Sequence, residues 1–233
     1  MMRLDKFLAN CTGAARSEVK QWIRSGSVTV NGESILHPEH KVGEETDAIC
    51  LQGERVGYRK HRYYLFYKPA GCVTATHDEA HKTVLDYFPA KLREGLSPVG
   101  RLDLDTEGLL LLTDDGAFLH HLISPSHHVS KTYYAKLDRA VPQDAVLRFA
   151  QGVDIGDDKV TLPAKLEILP DRAANLTITE GRFHQVKRMF AEVGCRVTYL
   201  KRISEGGLTL GDLAPGAYRS LSEDEVKALS KPV

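Results

Sequence analysis

Between Gly100 and Gly116 the chain places an arginine and a set of acids, Arg101, Asp103, Asp105 and Glu107, directly ahead of four successive leucines, Leu109 to Leu112. A short apolar run bounded by turn residues predicts a buried strand near 109–113. The acids then sit on a turn fixed at one end by rigid scaffold, which is how polar side chains are delivered to a site. The surrounding sequence predicts further strands near 129–137, 164–169, 175–179 and 196–201, with helices near 116–123, 143–151, 183–193 and 222–229. Val186, Met189, Phe190 and Val193 give the third of these helices its apolar stripe, and Ser222 with Glu225 forms a capping box for the last. Strands outnumber helices and do not alternate with them as βαβ units would. The expected fold class is therefore α+β, a mixed, largely antiparallel sheet with helices. This domain starts at the apolar Tyr64–Tyr67 run, which Lys68-Pro69-Ala70-Gly71 stops.

A smaller unit precedes it. Leu4, Phe7 and Leu8 form one helical stripe, and Ser17 is expected to cap a second helix whose Val19, Trp22 and Ile23 face a core, with Gly26 ending it. Val28-Thr29-Val30 then alternates as a strand into Asn31-Gly32, the dipeptide that best tolerates the positive φ angles of a tight hairpin. Charged, glycine-containing sequence from Gly53 to Arg62 reads as a linker, so the expected division is 1–58 and 59–233.

Composition excludes several classes. With 42% hydrophobic and 27% charged residues the chain is neither disordered nor fibrous. It contains no stretch of the roughly 20 apolar residues that a membrane helix needs, and Asp5 precedes any run that could serve as a signal peptide. A cytoplasmic location, no membrane partner and a monomeric state are expected. Cys11, Cys50, Cys72 and Cys195 are too scattered for a zinc site or disulfide framework. The adjacent pairs His120-His121 and His127-His128 are poorly spaced to converge on one ion, so no metal is expected. Net charge is zero, yet it is segregated. Residues 1–30 carry +3, with Arg3, Arg16, Lys20 and Arg24 among the cations, and residues 181–202 carry +5, including Arg182, Lys187 and Arg188. Local patches of this kind can bind phosphates on a neutral protein, because screening confines each within about 10 Å. Solvated helix faces would give the same pattern.

The acids at 103–107 admit other readings. Asp103-x-Asp105-x-x-Gly108 imitates the opening of a calcium loop, but Leu111 and Asp114 occupy its ninth and twelfth positions. Asp103 and Asp105 also evoke a glycosidase pair, although i and i+2 side chains of a strand project in parallel and do not converge across a sugar. Simple decoration of a turn is the third possibility.

Motifs in series decide among these. Gly100-Arg101-Leu102-Asp103-x-Asp105-Thr106-x-Gly108-Leu109, Lys68-Pro69-x-Gly71, Lys131-Thr132-Tyr133 and Glu180-Gly181-Arg182-x-His184-Gln185-Val186-Lys187-Arg188-Met189 resemble, in order, those of the RsuA-type pseudouridine synthase family. Arg3 to Leu8, Arg16-Ser17 and Val28 to Gly32 resemble an S4-type RNA-binding domain. Ser124-Pro125-x-His127-His128 is similar to the members that act on small-subunit ribosomal RNA. The resemblance implies a small N-terminal RNA-binding domain of helices and short hairpins, then a catalytic domain of the pseudouridine synthase type. It implies ribosomal RNA, or a partly assembled small subunit, as partner. It also implies that Asp103 does the covalent chemistry, whether by attacking ribose, attacking the base or removing a ribose proton. Lys187 would keep that carboxylate ionised, Tyr133 would stack on the uracil, and Arg101 would hold the displaced nucleotide. Arg3, Arg16, Lys20, Arg24, Arg182 and Arg188 are the candidate RNA contacts, and Asp105 has a supporting role. The isomerisation changes no oxidation state and transfers no group to a carrier, so no cofactor is expected. The competing expectation is a non-catalytic RNA-binding or ribosome-assembly factor that keeps the fold.

Overall fold

A computed structural model describes residues 1–44, 46–57 and 61–231. They divide into two compact units, Met1–His61 and Arg62–Val233, and the boundary expected at 58/59 falls on residues outside those described. Among the described residues no helix is long and apolar enough to cross a membrane.

The first unit comprises β1 (Met2–Arg3), α1 (Leu4–Thr12), α2 (Arg16–Arg24), β2 (Val28–Val30), β3 (Glu33–Ser34), β4 (Lys41–Val42), β5 (Ile49–Leu51) and β6 (Glu54–Arg55). Leu4, Phe7 and Leu8 of α1 meet Val19 and Ile23 of α2 over Val28, Val30 and Ile49, so the helical stripes read from sequence do form the core. Asn31 (φ 53°) and Gly32 (φ 87°) make the tight β2–β3 turn. Two expectations fail here. Ser17 does not cap α2, which starts at Arg16 with Ala15 in the cap position and no side-chain hydrogen bond there. Part of the presumed linker instead forms β6, paired with β5 through a turn at Gln52 (φ 53°) and Gly53 (φ 85°).

The second unit contains β7 (Tyr63–Lys68), α3 (Ala90–Arg93), β8 (Ser97–Val99), β9 (Glu107–Thr113), α4 (Gly116–Ile123), β10 (Lys131–Leu137), α5 (Ala145–Gln151), β11 (Lys165–Leu169), β12 (Ala173–Ile178), α6 (Gln185–Glu192), β13 (Val197–Glu205), β14 (Leu208–Thr209), β15 (Tyr218–Ser220) and α7 (Glu223–Leu229). Its sheet runs β11-β12-β10-β13-β9-β7-β15, with β8 beside β9 and β14 beside β13. Only β13 and β9 pair in parallel among the described strands. The four leucines of β9 are explained by burial on both faces. Leu110 and Leu112 join one core with Phe149, Met189 and Phe190, while Leu109 and Leu111 join another with Phe118, Leu122 and Leu229. Ser222 and Glu225 make the expected capping box on α7.

The parallel contact depends on Gly108. Its φ of 114° lies in glycine territory, and a β-carbon there would sit 2.6 Å from the Arg202 nitrogen and closer still to its carbonyl oxygen. β9 and β13 approach each other at this point because position 108 has no side chain.

Candidate active site

The turn ahead of β9 is built from the β7 side. Lys68, opposite Gly108 in the β7–β9 ladder, is fully buried. Its ammonium donates to the carbonyl oxygens of Asp103 (2.9 Å), Thr106 (2.9 Å) and Pro69 (3.2 Å). Burial pushes its pKa below the ordinary lysine value, against the pull of Cys72 and of the carboxylates of Asp103, Asp105 and Glu107. Thr74 Oγ1 both donates to the Leu102 carbonyl (2.8 Å) and accepts from the Leu102 N–H (3.1 Å), and the Gly71 N–H donates to the Leu104 carbonyl at 2.8 Å. With its backbone satisfied in this way, the turn leaves the Asp103 carboxylate directed at a cleft of about 910 Å³.

Helix α6 supplies the cation. Val186, Met189 and Phe190 are buried, and Lys187, on another face, reaches the turn. Its Nζ lies 3.0 Å from Asp103 Oδ2 and 2.6 Å from Asp105 Oδ1. The hydrogen bond from Lys187 holds the Asp105 carboxyl below the ordinary aspartate range, against partial burial. Burial alone would lower the Lys187 pKa, but hydrogen bonds to Asp105 and Asp103 outweigh it and leave the ammonium above the ordinary lysine value. The two acids lie on the turn ahead of β9, where the sequence reading placed them, so the strand spacing weighed against a glycosidase pair does not apply to them, and one ammonium sits where a calcium reading would have put a metal. Among the described residues no group of three or more His, Cys, Asp or Glu converges on a metal position.

Tyr133 lines the same cleft from β10, with its ring buried. Its hydroxyl is 3.5 Å from Arg202 Nη1, and burial raises its pKa. Arg202 is itself buried, donating from Nε to the Leu109 carbonyl at 2.6 Å and lying 3.3 Å from Glu205 Oε2, while Lys131 Nζ is 3.8 Å from Glu205 Oε1. His184 Nε2 stands 3.5 Å from Asp103 Oδ1. Arg101 is exposed on the cleft and makes no hydrogen bond or ion pair to a described residue. Asp103, Lys187, Tyr133 and Arg101, named from sequence for the site, thus line a single cleft.

The other expected contacts separate. In the first unit Arg3 is engaged with Asp5 at 3.0 Å, whereas Arg16 and Arg24 are exposed and Lys20 is half-buried. The cations of 181–202 do not form the free patch their count implies. Arg182 binds Glu180 (3.0 Å) and the carbonyls of Lys159 and Val160, while Arg188 binds Asp157 (2.7 Å) and the carbonyls of Ile155 and Phe183. Arg202 lies in the interior. Lys68, His184, Arg202 and Glu205 were not named as site residues. Lys68 had a signal, a lone charge closing an otherwise apolar strand, and His184 had its place in the α6 motif; Arg202 and Glu205 had none.

Comparison with known proteins identifies the family of each unit. The family model described as RNA pseudouridylate synthase matches residues 62–192, and that of the S4 domain matches residues 2–49. Ribosomal small subunit pseudouridine synthase A of Escherichia coli strain K12 is 43% identical, covering 98% of this chain and 100% of the relative. The protein of the same name from Pasteurella multocida is 45% identical over 99% of this chain and 100% of its own length. A crystal structure of a pseudouridylate synthase superposes with a TM-score of 0.70 at 40% identity, covering 98% of this chain and 100% of that one. With the family model spanning more than half of the chain and relatives at 43% and 45% identity aligned from end to end, the chain belongs to the RNA pseudouridylate synthase family, with an S4 domain at its front.

Proposed function

We propose that this enzyme converts one uridine of small-subunit ribosomal RNA, free or partly assembled into a subunit, to pseudouridine. The substrate follows from what the relatives at 43% and 45% identity are named for, and the chemistry rests on one observation, the 3.0 Å contact of Lys187 with the Asp103 carboxylate beside Tyr133. The reaction breaks the bond from ribose C1′ to uracil N1, turns the base, and joins C1′ to C5; C5 loses a proton and N1 gains one. Asp103 serves as nucleophile or base, with the Lys187 ammonium 3.0 Å from its carboxylate. Tyr133 offers its ring to the freed uracil, and the unpaired Arg101 holds the everted nucleotide. Residues 1–58 grip RNA through Arg3, Arg16, Lys20 and Arg24, and residues 59–233 catalyse, in a cytoplasmic monomer. Arg182 and Arg188 act on RNA through the segment they hold in place.

Incubation with small-subunit ribosomal RNA lacking the modification, followed by carbodiimide primer extension, is expected to give one new stop at a uridine. Free uracil would indicate hydrolysis, and binding without a stop would indicate the non-catalytic factor.

Two further outcomes follow from the site. The Asp105–Lys187 attraction is fully present between the ordinary aspartate and lysine values, about 4 and about 10. It is lost only as pH falls through the depressed Asp105 value or rises through the raised Lys187 value. Single-turnover rates are therefore expected to stay within about twofold from about pH 6 to about pH 9. A steep limb near neutrality would show that another ionisation governs the rate. Tyr133→Phe is expected to stay within about tenfold of the parent, because a hydroxyl contact of 3.5 Å is weak, whereas Tyr133→Ala loses the stacking face and on the order of 100-fold. Equal losses in kcat for both would move the role from ring to hydroxyl.

A further inference from the structure

Phe183 is out of place for its residue type. The other six phenylalanines are buried, whereas Phe183 is 75% exposed. It lines the Asp103 cleft together with two more exposed apolar residues, Leu104 and Ile123. Its ring stacks on that of His184, with centroids 3.8 Å apart and planes inclined by 21°. Since His184 Nε2 is 3.5 Å from Asp103, a two-ring stack runs outward from the carboxylate to solvent.

The segment carrying this stack is pre-organised. The Phe183 carbonyl accepts from Arg188 Nη1 at 3.1 Å, and the Arg182 N–H donates to Gln185 Oε1 at 2.9 Å. Gln185 Nε2 in turn donates to Glu180 Oε1 at 2.9 Å. A rigid platform loses little freedom when something settles on it. Building upon the proposed eversion of a uridine into this cleft, the bases on either side of it lose a stacking neighbour at the cleft mouth. Cationic Arg101 on the same cleft, unpaired among the described residues, suits the phosphates that accompany them, which favours RNA over an apolar protein segment as occupant.

We infer that the outer face of Phe183, backed by His184, is a stacking platform for an unpaired base adjacent to the target uridine. Aromatic faces accept any base, so this contact contributes affinity and holds the opened RNA apart without reading sequence.

The test uses the full chain and a stem-loop of the modified ribosomal RNA region, with 2-aminopurine on one or other side of the target. Phe183→Ala is expected to raise KM by about 5- to 100-fold, with the saturated single-turnover rate changed only a few-fold. Phe183→Trp and Phe183→Tyr should retain parental KM, and Phe183→Leu should resemble Phe183→Ala, since it keeps apolar area without a π face. The 2-aminopurine signal should be quenched by the parent at one flanking position and not by Phe183→Ala. An unchanged KM and quench in Phe183→Ala would overturn the inference, as would full retention by Phe183→Leu. A drop of more than a few degrees in melting temperature for Phe183→Ala would do the same, by showing a structural role. If the parent forms no pseudouridine at all, the functional proposal itself has failed, an outcome distinct from an active parent whose KM and quench are unchanged by Phe183→Ala.

Discussion

Asp103→Asn is expected to lower single-turnover pseudouridine formation by at least about 10⁴-fold, a loss of the size seen when a covalent or proton-accepting group is removed. Asparagine keeps the shape and removes the charge. The turn should hold, because Lys68 and Thr74 grip its backbone and Lys187 retains Asp105 at 2.6 Å. RNA affinity and melting temperature are therefore expected to stay close to those of the parent. Activity within tenfold of the parent would remove Asp103 from the chemistry, whereas an equal fall in RNA binding would reassign it to recognition.

Lys68→Met is expected to cost activity on the order of 100-fold although Lys68 never meets RNA. Methionine nearly fills the volume but cannot donate to the carbonyls of Asp103 and Thr106, both now 2.9 Å from the ammonium. Leaving buried carbonyls unpaired costs about 1–3 kcal/mol each, while removing a buried charge returns part of that. The expected net effect on stability is a fall of a few degrees in melting temperature. The effect on rate is larger, because a displacement of about 1 Å in a catalytic group is enough to lose two orders of magnitude. Unchanged kcat in a folded Lys68→Met protein would show that the turn is held by other means.

Much of this architecture is legible in the sequence because it is locally encoded. The α6 stripe, the Asn31-Gly32 hairpin and the Ser222–Glu225 box each follow from a few neighbouring residues. The Asp103–Lys187 pair spans distant parts of the chain and was legible only through motif order. Arg202 and Glu205 were hidden for a geometric reason. Residues three apart in a regular strand face opposite sides, yet both line the cleft. The β10–β13 register explains it: Thr132 pairs with Ser204 and Tyr133 with Arg202, so Ile203 is the extra residue of a bulge that turns the two onto one face. The charge count of 181–202 misled for a similar reason. Its arginines find acids, such as Asp157, that lie elsewhere in sequence.

The bare α-carbon at position 108 connects the two sides of this site. Asp103 hangs from the start of β9, while Arg202 and, through β10, Tyr133 belong to β13 and its neighbour. The gap between these strands sets how far the Asp103 carboxylate and the Tyr133 ring stand from each other. A single buried hydrogen atom, standing where any other residue would carry a side chain, thus calibrates the width of the cleft.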